Sequence, residues 1–377
     1  METQVISKCE AWLIEVPLRD TFRTSQGEYS RHKSVILLIE TSGGVQGVGQ
    51  VDPVFKYSSE TAEEIYIISR RYVCNMLTGE TIYSTASISY IIEKLRAAFP
   101  DPLHMETKAL VDITLHDLVG KITKKPVYEL LGGLYREEIP VIGWVGRGKP
   151  DEVAKKAISK IEEGYRAIKV KISRHPEDIE AISKIRELIG YDVEIRADAN
   201  ESLIPLSMLR RLERYELKWI EQPAPRRMID YISEIRRRVA IPILVDESVH
   251  DIYSLLEVIR KGAADYVKLK VLKLGGLLLL KKAAEICDAF GVGYVIGHGF
   301  NMYLGASAEL HFMASHSSEY MEPISEIGGP VDKMWDDIVK HPLIFRSGVF
   351  RVPKEAGLGL EVDMNKVFRY SIKLLDL

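Results

Sequence analysis

The rhythm of hydrophobic positions changes twice along this chain of 377 residues. The first 50 or so positions carry short aliphatic runs, AWLIEVPL and SVILLIE, and Ser42-Gly43-Gly44 breaks the chain before VQGVGQV. This predicts a β-meander with tight turns. Between the first two runs, Asp20–Arg31 is polar, lacks apolar anchors and contains Gly27, so it reads as an exposed loop. From about Ser59 to Leu130 the spacing becomes helical. Thr61–Met76, Ile88–Ala98 and Met105–Val119 repeat apolar residues on one helical face. Leu130-Leu131-Gly132-Gly133 stops the last of them with a glycine C-cap. A meander followed by a helical block is an α+β unit, here residues 1–135.

From Ile139 the two rhythms alternate. Strands are predicted near 139–145, 167–172, 193–198, 218–221, 243–246, 264–270, 293–297 and 319–322, with helices such as Lys149–Glu163, Pro176–Ile189 and Gly276–Phe290 between them. Eight strands with seven intervening helices favour a closed parallel barrel over an open sheet. No dinucleotide glycine fingerprint or P-loop follows an early strand. Gly328–Asp363 shows little helical periodicity, so the final helix is missing. The expected fold is α/β: a modified (β/α)7β TIM-type barrel over 136–344, with 345–377 packing back on the first domain.

Lys171, Asp198, Glu221, Asp246 and Lys270 are separated by 27, 23, 25 and 24 residues. Each closes a short apolar run, and the interval is the length of one strand-plus-helix unit. In a parallel barrel the C-terminal strand ends converge on one site. Three acids gathered there would raise one another's pKa. A hard divalent cation relieves that repulsion, Mg2+ first and Mn2+ as substitute; pairing with basic neighbours is the alternative. Lys169 and Lys171 are two apart on one strand, so both point into the barrel, where branched apolar residues are usual. Lys268 and Lys270 repeat the pattern across the ring. Packing of Lys169 and a cation against Lys171 would lower its pKa towards that of a general base. The other reading is that these lysines only neutralise the acids. His298 and Glu322 keep the unit period on the last two strands and are candidates for substrate contact.

The overall charge changes little in this picture. The net charge of −3 gives no argument for nucleic acid or an anionic membrane as partner. Arg226–Arg227 and Arg236–Arg238 read as solvated helix faces. The N-terminus is too polar for a signal peptide, and the Leu274–Leu280 run is too short to span a bilayer. Cys9, Cys74 and Cys287 lack metal-ligand spacing and read as free thiols in a reducing compartment, so a cytoplasmic location is expected.

The ordered set KVK, RADAN, WIEQP, VDES and KLKVLKLGG resembles the enolase superfamily. Within it, the set resembles the muconate lactonizing enzyme-like subgroup of the mandelate racemase/muconate lactonizing enzyme family. The resemblance spans nearly the whole chain: the first domain resembles the family's capping domain, and VPKEAGLGLEVD its C-terminal return. It implies Asp198, Glu221 and Asp246 as metal ligands, Lys171 and Lys270 as acid/base residues, and supporting positions at Asn200 and Glu247 besides Lys169 and Lys268. It also implies a Mg2+-dependent enzyme, without organic cofactor, that removes the α-proton of a small-molecule carboxylate to give an enediolate. A racemase, epimerase or cycloisomerase is expected. A lyase of the o-succinylbenzoate synthase type and a catalytically silent ligand-binding barrel are the alternatives. A homo-oligomer is also expected. The chain departs from the family pattern at Gln50, where Glu is common, at His298, where Ser or Thr is usual, and at Asn301, where Glu is usual. Its eighth strand lacks the Asp-x-Asp of dipeptide epimerases, and Glu322 resembles the strand-eight Glu of mandelate racemase.

Overall fold

The computed structural model describes residues 4–24, 27–54 and 57–374. β1 (Gln4–Thr24), β2 (Gly27–Thr41) and β3 (Gln46–Val51) make the antiparallel meander, and β4 (Thr81–Ile82) extends it on the β1 edge. The helical block follows: α1 (Ala62–Ile68), α2 (Cys74–Leu77), α3 (Thr85–Ala98), α4 (Met105–Thr123) and α5 (Val127–Leu131). A π-helical turn, Ser69–Val73, joins α1 to α2. α4 is buried on every side over most of its length, so its polar side chains must find partners inside. Asp117 accepts the Val48 and Leu358 backbone N–H groups, and Asp112 accepts that of Leu277. A Cβ on Gly49 would lie 2.3 Å from Thr114 Oγ1, so β3 meets α4 backbone-first.

Two expectations fail in this region. Asp20–Arg31 is not a loop but the far end of the β1–β2 hairpin: Phe22 pairs with Tyr29, Arg23 with Glu28 and Thr24 with Gly27. Ser25 and Gln26 lie outside the described residues. Ladder bonds come from the backbone, so a strand end needs no apolar anchor to pair. Cys9 and Cys74 are not free thiols but a disulfide that ties β1 to α2 across 65 residues. Their proximity is tertiary, with Cα atoms 5.1 Å apart, and sequence spacing carries no sign of it. Cys287 is free and buried.

β5 (Glu138–Pro140) and β6 (Gly143–Val145) divide the run expected at 139–145. β6 opens a seven-stranded parallel sheet in chain order with β7 (Ala167–Lys171), β8 (Glu194–Asp198), β9 (Trp219–Glu221), β10 (Ile243–Val245), β11 (Tyr266–Leu269) and β12 (Gly293–Ile296). The connecting helices are α6 (Pro150–Glu162), α7 (Pro176–Ile189), α8 (Leu206–Leu212), α9 (Ile229–Arg238), α10 (Ile252–Arg260), α11 (Val271–Leu274) with α12 (Leu277–Phe290), and α13 (Tyr303–Ser315). The eighth staff of the barrel is irregular rather than the strand expected at 319–322. Met321 bridges Tyr294 on β12, and Ser325 bridges Val141 beside β6, so this segment closes the ring. The C-terminal return is split. β13 (Phe345–Arg346) and β14 (Val349–Arg351) form a small sheet with β5. Gly357 then bridges Pro126, and α14 (Met364–Tyr370) packs on β1. Among the described residues no helix is long and apolar enough to cross a membrane.

Alternate strand residues face inward, and these positions sort into tiers. Trp219, Leu244 and Val295 make an apolar floor with Tyr266 packed on it. Lys169, Arg196, Glu221, Lys268 and Glu326 form a buried charged layer above the floor. Lys171, Asp198, Asp246 and Lys270 stand above that layer, at the C-terminal ends of their strands.

Candidate active site

The strand order places the five charged residues in an arc. Lys171 ends β7, Asp198 ends β8, Glu221 ends β9, and Asp246 and Lys270 follow β10 and β11. Around the ring they therefore read Lys, Asp, Glu, Asp, Lys. Asp198 lies in direct register with both Lys171 and Glu221. The ammonium of Lys171 lies 2.6 Å from Asp198 Oδ2 and donates to Asn200 Oδ1 at 2.5 Å. At the other end, Lys270 donates to Asp246 Oδ2 at 2.7 Å. Asn200 adopts a left-handed backbone, φ 40°, which lets its amide reach from Lys171 to Glu247 Oε1 at 3.1 Å. Gln222, at φ 43°, folds back so that its Oε1 accepts the Asp246 and Ser248 N–H groups.

The layer beneath is bonded more densely. Lys169 contacts Glu221 and Glu326 at 2.6 Å and Asp198 at 2.9 Å. Lys268 contacts Glu221 at 2.5 Å and Glu326 at 2.6 Å. Burial alone would lower both pKa values. The surrounding carboxylates outweigh it, and both lysines are held above the ordinary lysine range. Glu326 is held down to about 2 against its burial by Lys169, Lys268 and Arg196. Burial opposes ionisation of Asp198 and Asp246 too, but Lys169 and Lys171 hold the first below the usual carboxylate range, and Lys270 and Lys273 the second.

These groups open into a cavity of about 370 Å³. Its barrel walls include Trp144, whose ring lies 4.8 Å from the Lys169 ammonium, 5.5 Å from that of Lys171 and 6.0 Å from that of Lys333. The cap contributes Val54, Tyr57, Ser58, Ser59 and Glu106. Glu106 accepts the Ser59 N–H and Oγ, and burial beside Glu60 pushes its carboxyl up to about 7. His298 lines the cavity and donates Nε2–H to the Asp52 backbone carbonyl at 2.8 Å, since a carbonyl can only accept. Burial and the nearby Lys270 lower its pKa to about 4, so it is a neutral imidazole.

The structure thus brings Lys169, Lys171, Asp198, Asn200, Glu221, Asp246, Glu247, Lys268, Lys270 and His298 to one cavity. It does not bring Glu322 there. Glu322 pairs with Lys218 at 2.8 Å and approaches Arg196 at 3.8 Å, below the charged layer. The eighth-segment acid that reaches the cavity is Glu326. Sequence reasoning also missed Trp144, Lys333 and Lys273, whose ammonium donates to Asp246 Oδ1 at 2.7 Å. Lys273 had a signal, being three residues past Lys270 and so facing the same way on the turn that begins there.

The donor set can be tested against a divalent cation. Asp198, Glu221 and Asp246 are buried oxygen donors on neighbouring strands. Glu247 beside them has a buried Oε2 without a hydrogen-bond partner, and burial with the charges of Asp246 and Asp198 pushes its carboxyl up to about 7. The set is made only of hard oxygen ligands, and its chemistry fits a hard cation. Among the described residues no three acids converge on a common point; each holds a lysine instead.

A capped parallel barrel with paired acids and lysines at its mouth defines an enzyme of the enolase type, and comparison with known proteins agrees. Residues 3–132 match the mandelate racemase/muconate lactonizing enzyme N-terminal domain, and residues 152–366 match the enolase C-terminal domain-like family. The chain belongs to the mandelate racemase/muconate lactonizing enzyme family. It is 30% identical over 363 residues to the N-succinyl-L-Arg/Lys racemase of Bacillus cereus, covering 95% of each chain. The crystal structure of that racemase superposes with a TM-score of 0.91 over 98% of both chains. Muconate cycloisomerase 1 of Rhodococcus opacus is 27% identical over 96% of this chain and 97% of its own length. A dipeptide epimerase from Cytophaga hutchinsonii, solved with Mg and D-Ala-L-Val, has a TM-score of 0.89 at 25% identity, over 97% of this chain and 98% of its own.

Proposed function

We propose that this enzyme is a divalent-cation-dependent racemase or epimerase of an N-acylated amino acid, with Lys171 and Lys270 as its two bases. The observation that carries this reading is the symmetry of the arc. The two lysines stand at opposite ends of the acid row, each on one aspartate, and their side chains are 21% and 19% exposed. A substrate α-carbon between them presents one face to each. Either lysine, once neutral, can take the α-proton, and the other then delivers a proton from the opposite side. The ammonium groups of Lys169 and Lys268 lie beneath and favour the negative charge that develops on the substrate carboxylate.

Asp198, Glu221 and Asp246 would hold the cation, Mg2+ by their chemistry, and a metal ion there supplies positive charge to the same carboxylate. Lys171 and Lys270 then exchange their aspartate contacts for substrate. An acylated amine suits the cavity, because the eighth segment offers no acid to a free α-ammonium: Glu326 is locked on lysines and Glu322 lies elsewhere. The N-succinyl-L-Arg/Lys racemase of B. cereus, similar over nearly the whole chain, supports this substrate class.

Both stereoisomers of N-succinyl-arginine incubated with the enzyme and Mg2+ in D2O should gain α-deuterium and converge to a racemate, as read by mass spectrometry and chiral chromatography. EDTA should stop the exchange, and Mg2+ or Mn2+ should restore it. Full activity after complete chelation would overturn the cation dependence. Exchange dependent on one lysine alone would overturn the two-base reading in favour of a cycloisomerase or lyase.

A further inference from the structure

The staves across the ring from the acids decide what the rest of a substrate can meet. β8, β9 and the end of β10 carry Asp198, Glu221 and Asp246, so the staves opposite are β12, the eighth segment and β6. A substrate with its carboxylate on the acid side and its α-carbon between the lysines turns its acylated nitrogen towards those three. Trp144 on β6 and Lys333 after the eighth segment can only donate hydrogen bonds. Glu326 already accepts from Lys169, Lys268 and Arg196. The remaining polar side chain there is His298, after β12. Its ring is held from two sides. Gly297 lies so close to the eighth segment that a Cβ would come within 2.6 Å of the Glu326 backbone carbonyl carbon. On the cap side, the Asp52 carbonyl accepts from His298 Nε2 at 2.8 Å, and Asp52 Oδ2 accepts the Met302 N–H at 3.0 Å. With the proton of the neutral ring on Nε2, Nδ1 can only accept. The ring is 7% exposed, yet Nδ1 has no partner among the described residues and is not sealed off by protein. The open space that His298 borders is the active-site cavity.

We propose that His298 is a specificity-determining residue: its Nδ1 accepts the amide N–H that an N-acyl amino acid carries on its α-carbon. The inference rests on the N-acyl amino acid reading above and names the group that recognises the amide. One acceptor satisfies the single N–H of an amide. An α-ammonium carries three N–H groups and a charge, and needs a countercharge that this wall lacks. An ester has no N–H and would set its oxygen against the Nδ1 lone pair. His298 takes no proton in the reaction, and Lys171 and Lys270 remain the bases. Two substitutions separate recognition from structure. Glutamine can place a nitrogen near the position of Nε2 for the Asp52 carbonyl but offers no acceptor at the position of Nδ1. Asparagine does the reverse, with Oδ1 standing in for Nδ1.

The test compares N-succinyl-arginine with its ester isostere, in which oxygen replaces the amide N–H, by α-deuterium exchange in D2O with Mg2+. The two compounds differ in intrinsic reactivity, so the readout is how the ratio of their kcat/KM values changes with the side chain at 298. In His298→Gln the amide-to-ester ratio should fall by roughly 10- to 100-fold, the scale of a polar group left unpaired, through loss on the amide. In His298→Asn the ratio should stay within about threefold of wild type, since any loosening of the cap slows both compounds alike. Equal losses on amide and ester in His298→Gln, or a ratio that His298→Gln leaves unmoved, would overturn the proposal as a purely structural role. Abolished exchange of both compounds in both variants would overturn it in favour of His298 as a base. A second measurement needs no substrate. In histidine-labelled enzyme, nitrogen NMR should show His298 Nδ1 as an unprotonated nitrogen and Nε2 as an N–H, with the signals assigned by their absence from His298→Gln. A proton on Nδ1 at neutral pH would refute the acceptor. Wild-type enzyme that exchanges neither compound would break the N-acyl reading and this proposal with it, whereas exchange with an unmoved ratio breaks this proposal alone.

Discussion

Lys169 and Lys171 occupy one strand two residues apart, and Lys268 and Lys270 repeat the arrangement across the barrel, yet the two layers are chemically unlike. The lower pair is 1% and 2% exposed and each member is shared among several carboxylates. The upper pair is about one-fifth exposed, and each holds a single aspartate through its ammonium. A base must be able to lose its proton and move to the substrate. An ammonium pinned by two or three buried acids can do neither, whereas one with solvent access and one acid partner can do both. Residue type is the same in the two layers; depth and the number of acid partners divide them, and on the two-base reading they divide scaffold from reagent.

The sharpest way to break this comparison is to remove each layer in turn. Lys171→Met and Lys270→Met should each lower turnover by roughly 10²- to 10⁴-fold, the scale of a lost general base, with little change in urea midpoint. Lys169→Met and Lys268→Met should behave in reverse order of severity. They leave Glu221 and Glu326 underpaired in the core, and stability should fall by about 3–5 kcal/mol, seen as a lower denaturation midpoint before any assay is run. Equal stability losses in both layers would erase the distinction.

The eighth segment offers a finer contrast. Glu326→Gln should destabilise the protein and impair catalysis together, because Glu326 bridges Lys169 and Lys268. Glu322→Gln should leave the substrate KM unchanged and shift stability by no more than about 1 kcal/mol, since its partner Lys218 is partly exposed. A large KM effect in Glu322→Gln would return that residue to the substrate site.

A separate effect concerns acid. Burial lowers the pKa of His298 and of His311 to about 4, below the value of about 6.5 of an unfolded histidine. Between these values the unfolded chain binds protons that the folded chain does not. Stability from these two histidines is therefore complete above about pH 6.5 and falls as pH drops towards 4. Urea titrations at intervals across that window should show the decline, and it should be shallower in His311→Asn.

Much of this was legible in the sequence because the barrel repeats. A charged residue at each strand end, at one unit's spacing, marks the mouth without knowledge of any contact. The period failed where the repeat did. The eighth segment makes isolated bridges rather than a ladder, and Pro323 interrupts it, so counting along a strand led to Glu322 instead of Glu326. The Cys9–Cys74 bond failed for another reason: it depends on how a helix lies on a sheet. The hairpin end over Asp20–Arg31 was missed because backbone pairing leaves no mark on side-chain polarity.

The arc Lys–Asp–Glu–Asp–Lys reads the same from either end. On the two-base reading, such a palindrome offers both hands of a substrate the same kind of base, and chiral preference would come from the unequal walls, which include Trp144, Lys333, Leu272 and His298. For mirror images in an achiral solvent the equilibrium constant is one. A racemase built on this arc would therefore do no net thermodynamic work: any directional flow through it would be drawn by a later step that consumes a single hand.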